Sequence, residues 1–189
     1  MKTKLLLFVL LVGLIYSCKK DLDNQDGHQT TPLSLTVPEG FPPLIIPADN
    51  PLTVEGVELG HHLFFDPIMS SNGLSCASCH HVDKSYSSAY HINPLGDTVS
   101  IMPHVNLGFK RNFSWTGRFS TTEQVCMGDF EPEFFNTNMD TLRRRLSNSS
   151  KYQNMFFRSF GDNNFSAMSD IELKNYIVKS IGQYLRTMI

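Results

Sequence analysis

Cys76-Ala77-Ser78-Cys79-His80 is the stretch on which the reading of this chain turns. Two cysteines three positions apart, with a histidine directly after the second, meet the requirement for covalent attachment of a c-type haem. On one helical turn both sulfurs can reach the two vinyl groups along one porphyrin edge, and the histidine presents its imidazole to the iron as an axial ligand. Three other uses of such a pair compete. A thioredoxin-type redox pair belongs beside a βαβ unit, and no such unit is evident. A zinc site wants a further ligand pair, which Cys126 alone does not supply. A plain disulfide would leave His80 as a coincidence. Haem attachment uses all three residues at once.

The flanking sequence has a helical period. Upstream, Val57, Leu59, Leu63 and Phe64 fall on one helical face, and Asp66-Pro67 ends that helix. Downstream, Leu142 to Leu146 predicts a second helical stretch, and Tyr152, Phe156, Phe157 and Phe160 a third. Ser169-x-x-Glu172 is a capping box opening a last helix, whose inner side carries Ile171, Ile177, Ile181, Tyr184, Leu185 and Met188. Alternating strand patterns are scarce. The expectation is a mainly α domain with long loops. Its phenylalanines line the core and a haem pocket, Cys126 is a buried small residue or a free thiol, and Arg143-Arg144-Arg145 is a solvated helix face.

The 189 residues suffice for one domain with a core but not for two full-sized ones. A net charge of −2 gives no basic face for nucleic acid. At the N-terminus Lys2 and Lys4 precede an apolar run from Leu5 to Ile15, too short to span a bilayer but suited to a secretory signal. Ser17-Cys18 then resembles a lipoprotein cleavage site, with Cys18 lipidated and the protein exported to the periplasm or anchored at the outer membrane. That lipid is the only membrane attachment expected. Residues 1–17 therefore read as signal, 18–37 as a polar, proline-rich tether and 38–189 as the globular domain. Six of the ten prolines lie between Pro32 and Pro51, which excludes helix there.

Around the motif the chain resembles a known family. Glu58-Leu59-Gly60-His61-His62-Leu63-Phe64-Phe65-Asp66-Pro67, then Ser70-Ser71-Asn72-Gly73-Leu74-Ser75 running into the motif, is similar to the N-terminal haem domain of bacterial di-haem cytochrome c peroxidases. The likeness continues in Met102-Pro103-His104-Val105-Asn106-Leu107-Gly108-Phe109, in Phe113-Ser114-Trp115-Thr116-Gly117-Arg118 and in Glu123-Gln124. It closes with Tyr152, Phe156, Phe157, Phe160 and Gly161, then Tyr184-Leu185-Arg186-Thr187.

The resemblance implies a cytochrome c-like domain carrying one haem c, at which hydrogen peroxide is reduced by electrons from a small redox protein or a separate haem domain. Cys76 and Cys79 would anchor the haem and His80 would be its proximal ligand. Trp115 matches a tryptophan that conducts electrons between two haems; read alone, it is a packing anchor for the core. Gln124 and Glu133 match a distal glutamine and glutamate, the first holding peroxide and the second moving its proton. Read alone, Glu133 is a solvated loop acid. His91 is a candidate for the iron's sixth position, with a solvated loop histidine as the alternative, and His104 stands where the family has an apolar residue.

Three departures qualify the match. Thr116 replaces an aspartate, and Val99-Ser100 replaces an Arg-Asn pair whose asparagine helps hold calcium in some members, which argues against a calcium site. The 189 residues contain no second Cys-x-x-Cys-His. The alternatives to a peroxidase are a mono-haem electron-transfer module and a truncated, catalytically incomplete fragment.

Overall fold

A computed structural model describes residues 28–92 and 98–189, so the segment read as a signal, and Cys18, lie outside the described residues. Among these the chain forms five α-helices: α1 (Val54–Phe65), α2 (Thr122–Met127), α3 (Met139–Ser147), α4 (Ser150–Phe160) and α5 (Asp170–Arg186). One short antiparallel hairpin, β1 (Ser88–Ile92) with β2 (Thr98–Ile101), and several single 3₁₀ turns complete it. The molecule is mainly helical, as expected. No helix among the described residues is long and apolar enough to cross a membrane.

Local chemistry sets the helix ends. Thr53, Asn138, Ser149 and Ser169 each accept a hydrogen bond from a backbone N–H of the first turn they precede. Asp66 ends α1 in extended conformation, because the residue before Pro67 is pushed out of the helical region. Gly161 closes α4 at φ +73, a left-handed position that suits glycine.

The core forms where α1 crosses α5, with α2 and α4 on the flanks. Leu59, Leu63 and Phe64 of α1 pack against Leu173, Ile177, Val178, Ile181 and Leu185 of α5, all buried. Each contributes about 1.5–3 kcal/mol by leaving water. The approach is close enough that a Cβ at Gly60 would overlap the Ser180 carbonyl and lie 2.9 Å from Tyr184 Cβ. Beside the crossing runs a buried polar network. Gln183 Oε1 accepts from Thr53 N–H (2.9 Å), and Gln183 Nε2 donates to Asn50 Oδ1 (2.9 Å). Arg186, 3% exposed, donates through Nη2 to Glu123 Oε2 (2.8 Å) and Thr122 Oγ1 (3.1 Å). It thereby locks α2 to α5.

The proline-dense segment is non-helical and straps across this core. Leu33 N–H bonds the Leu52 carbonyl (3.0 Å), and Ile45 N–H bonds the Gly108 carbonyl (2.7 Å). His28 and Thr31 are already docked, on the Arg158 carbonyl (2.9 Å) and on Glu55 (2.9 Å).

Four expectations are corrected. Ile171 is 58% exposed, because the first turn of α5 projects past its neighbours. Phe157 is 46% exposed, one position out of phase with buried Phe156. Trp115 is 70% exposed and anchors no core; its Nε1–H donates to the Ser100 carbonyl (3.0 Å). The arginines of α3 are more than a solvated face: Arg143 reaches the Met168 carbonyl (3.1 Å) and Asp170, and Arg145 reaches the Ile68 (2.9 Å) and Ser70 (2.6 Å) carbonyls.

The α1–α5 contact predicts a mutational contrast. Gly60→Ala gains about 1 kcal/mol of helix propensity but meets rigid backbone, so it should lower unfolding free energy by about 1–3 kcal/mol in denaturant titration. Gly128→Ala, where the new Cβ meets nothing within 4 Å, should leave stability unchanged or slightly raised.

Candidate haem site

The motif is held as a compact turn. Ser75 N–H donates to Ser78 Oγ (3.0 Å), Cys76–Ser78 form a 3₁₀ turn, and His80 N–H closes on the Cys76 carbonyl (2.9 Å). Cys76 is buried in the core beside Cys126, while Cys79 is half-buried at its rim, and neither is in a disulfide. Burial pushes the Cys76 and Cys126 thiols well above the ordinary range. Burial, followed by the Asp129 carboxylate, raises Cys79 as well. These are neutral thiols rather than the stabilised thiolate of a redox pair. Among the described residues no group of three or more His, Cys, Asp or Glu side chains is placed to hold a free metal ion.

His80 is oriented by the loop that follows it. Its Nδ1 lies 2.9 Å from the Tyr86 carbonyl. A carbonyl can only accept, so Nδ1 carries the proton and Nε2 keeps its lone pair for a metal. Burial lowers the His80 pKa and favours that neutral form. Ser85 and Tyr86 both adopt left-handed backbone conformations (φ 55 and 56). Such conformations cost about 1–3 kcal/mol each in non-glycine residues. The turn is offset by His81 N–H to the Ser87 carbonyl (3.0 Å) and Tyr86 N–H to the His81 carbonyl (2.8 Å).

Behind His80 lies an aromatic wall. His104 stacks on it, and Phe64 meets the rings of His104, Tyr86 and Tyr184 edge-on at 6.0, 5.8 and 5.5 Å. Burial, with His80 and Lys110 adding smaller effects, lowers the His104 pKa to about 2, and its Nδ1 is buried without a partner. This set fits a covalently held haem: two neutral thiols on one turn, a histidine offering Nε2 and apolar walls.

The segment from Gln124 to Glu133 runs past the motif through Cys126 and Asp129. The Asp129 carboxylate acts electrostatically on Cys76, Cys79 and Cys126, and burial raises its own pKa to about 7. Gln124 and Glu133 are exposed. Gln124 Oε1 accepts from Ser120 N–H (2.9 Å) and Ser120 Oγ (3.1 Å), a local cap at the start of α2. Thus Cys76, Cys79 and His80 come together, whereas Gln124, Glu133 and Trp115 stand at the surface. His91 occupies a β1 position opposite Val99, and its side chain lies outside the described residues. The motif-based reading missed the Tyr86 carbonyl, which no side-chain pattern encodes, and Asp129, whose only signal was an acid between apolar neighbours.

The sequence profile of the di-haem cytochrome c peroxidases matches residues 54–189. The chain is 29% identical to the methylamine utilization protein MauG of Methylophilus methylotrophus, over 76% of its own length and 42% of that protein's. It is 30% identical to the cytochrome-c peroxidase IdrP2 of Denitromonas iodatirespirans, over 70% of its own length and 36% of that protein's. The chain thus spans less than half the length of the curated relatives it matches. In fold it is similar to a MauG-like protein associated with microbial copper homeostasis, with a TM-score of 0.69 and 23% identity, covering 82% of this chain and 47% of that one. The diheme peroxidase BthA of Burkholderia thailandensis superposes with a TM-score of 0.52 at 17% identity, covering 84% and 47%. With motif, architecture and profile in agreement, the chain belongs to the di-haem cytochrome c peroxidase family.

Proposed function

We propose that this chain forms a cytochrome c-like haem domain that reduces hydrogen peroxide, taking electrons from a small redox protein or a separate haem domain. The observation that carries the reading is the His80 Nδ1–H bond to the Tyr86 carbonyl at 2.9 Å, beside two neutral thiols on one turn. Cys76 and Cys79 would hold one haem c through thioether bonds, and His80 would offer Nε2 to its iron. When bound there, haem supplies the iron at which peroxide is taken up and reduced.

The chain's own residues provide the rest. Two electrons and two protons convert one hydrogen peroxide to two waters. Glu133 takes the proton from one peroxide oxygen and returns it to the departing one, and Gln124 holds the peroxide by hydrogen bonding. For that role the Gln124 amide must leave its Ser120 contacts and turn inward. Trp115, exposed and held by its indole N–H, supports a role as the point where electrons enter. Buried Cys76 and the aromatic wall exclude water from the back of the site. The N-terminal segment exports the chain and Cys18 tethers it by lipid, outside the cytoplasm where c-type haem is attached.

Expression with the c-type haem attachment machinery tests the cofactor. The purified protein should carry one covalent haem per chain by mass and pyridine haemochrome spectrum. Cys76→Ala with Cys79→Ala should abolish covalent attachment, and unchanged haem in that double variant would sink the assignment.

Stopped-flow reaction of the ferric protein with hydrogen peroxide tests the chemistry. Glu133→Gln should slow it about 10²–10⁴-fold, the range for loss of a general acid–base group. A six-coordinate ferric spectrum indifferent to peroxide would instead identify an electron-transfer module.

A further inference from the structure

The His80 imidazole has a partner that sequence motifs did not announce. The His104 ring lies parallel to it, with centroids 3.4 Å apart and planes within 16°. The two residues also share an acceptor: the Tyr86 carbonyl takes His80 Nδ1–H at 2.9 Å and the His104 backbone N–H at 3.2 Å. One oxygen therefore fixes both the ligand ring and the backbone of the residue stacked on it. Phe64, fully buried, stands edge-on to His104 at 6.0 Å and limits its movement. His104 Nδ1 makes no hydrogen bond among the described residues. Stacking and the backbone, rather than a side-chain hydrogen bond from that nitrogen, hold the ring.

This geometry excludes one role and supports another. Two imidazoles bound trans across one iron lie on opposite faces of the porphyrin, so a ring stacked face-to-face on His80 is not its trans partner. What stacking does control is rotation. The Nδ1–H bond to the Tyr86 carbonyl restrains the edge of the imidazole, and a parallel ring on its face adds a second restraint that resists rotation out of that plane. We infer that His104 is a positioning residue for His80, clamping the plane of the axial imidazole through ring stacking and the shared Tyr86 carbonyl. The inference rests on the proposed haem site.

Stacking also has an electronic consequence. The ligand ring gains positive character when the iron is ferric, and an aromatic face beside it stabilises that state. Removing the ring should shift the ferric–ferrous equilibrium toward ferrous about two- to fivefold, the range for a modest cation–π contact.

The test uses the haem-loaded protein without peroxide, comparing wild type, His104→Leu and His104→Phe. The readouts are haem content, midpoint potential by spectroelectrochemistry and the iron–imidazole stretching band of the ferrous protein. His104→Leu should keep its covalent haem, shift and broaden that band and favour the ferrous state. His104→Phe restores a flat ring and should return both values to wild type. Wild-type values in His104→Leu, or a shift in His104→Phe as large as in His104→Leu, would overturn the inference. Where His104→Leu fails to load haem, His104→Phe against wild type decides alone: wild-type values support the clamp and shifted values overturn it. A wild-type protein that carries no haem overturns the haem assignment itself, which is a different failure.

Discussion

The hydrogen bond from His80 to the Tyr86 carbonyl is the contact around which the site is organised. It selects the tautomer that leaves Nε2 available, and it ties the ring to a loop rather than to the helical core. The loop must therefore be stiff. Two consecutive left-handed residues, Ser85 and Tyr86, turn the carbonyl back toward the motif. Bonding between His81 and Ser87, and then the β1–β2 hairpin, keep that turn from relaxing. Ser87 Oγ donates to the Ile101 carbonyl (2.5 Å), linking the start of the hairpin to its far strand. Backbone strain of a few kcal/mol is tolerated because the surrounding bonds over-determine the conformation.

The helical core places this loop by steric and polar contacts of different kinds. Contact between α1 and α5 at Gly60 sets Phe64 and Tyr184 against each other, and both reach the wall behind His80. The Arg186–Glu123 pair acts on the other side. A buried ion pair adds little net stability, since desolvation offsets much of the attraction. Its effect is on register: sliding α2 along α5 would leave a buried guanidinium unpaired. With α2 so fixed, Cys126 and Asp129 come to lie beside Cys76. The chain just past the end of α5 reaches the loop after β2, where Asn106 N–H bonds the Met188 carbonyl (2.7 Å).

What could be read in advance were features whose cause is local. Cysteine spacing, the Ser169 cap and the break at Asp66-Pro67 each act within four residues; the attachment turn and the helix break form, and of the expected capping box the serine half forms, Ser169 Oγ accepting from Glu172 N–H. Helical period located four of the five helices among the described residues and missed α2, whose six residues are too few to show a period; it misjudged Phe157 and Ile171, because period alone does not say how wide the buried stripe is or where a helix outruns its neighbours. Trp115 was misjudged for a related reason: large apolar area favours burial only where the loop carrying it has a core to enter. Arg143 and Arg145 read as solvent-facing charges, yet their partners include carbonyls of residues distant in sequence. His104 was the least legible, since its stack on His80 depends on a hairpin intervening between the two.

The arrangement of acids bears on how such a site could be both dry and reachable. A peroxide-reducing haem needs an apolar surround, yet its substrate and electrons must arrive from water. The described residues divide these tasks by depth. Cys76 lies inside the core and Cys79 at its rim, so a cofactor joined to both would be anchored across the boundary. Burial pushes the Asp129 carboxyl up to about 7, and Asp129 in turn acts electrostatically on the thiols beside it. Glu133 and Gln124 lie a few residues to either side of it on the same segment, both exposed. On the proposed reading, proton-handling groups therefore stand at the wet end of a segment whose middle is packed against the attachment turn.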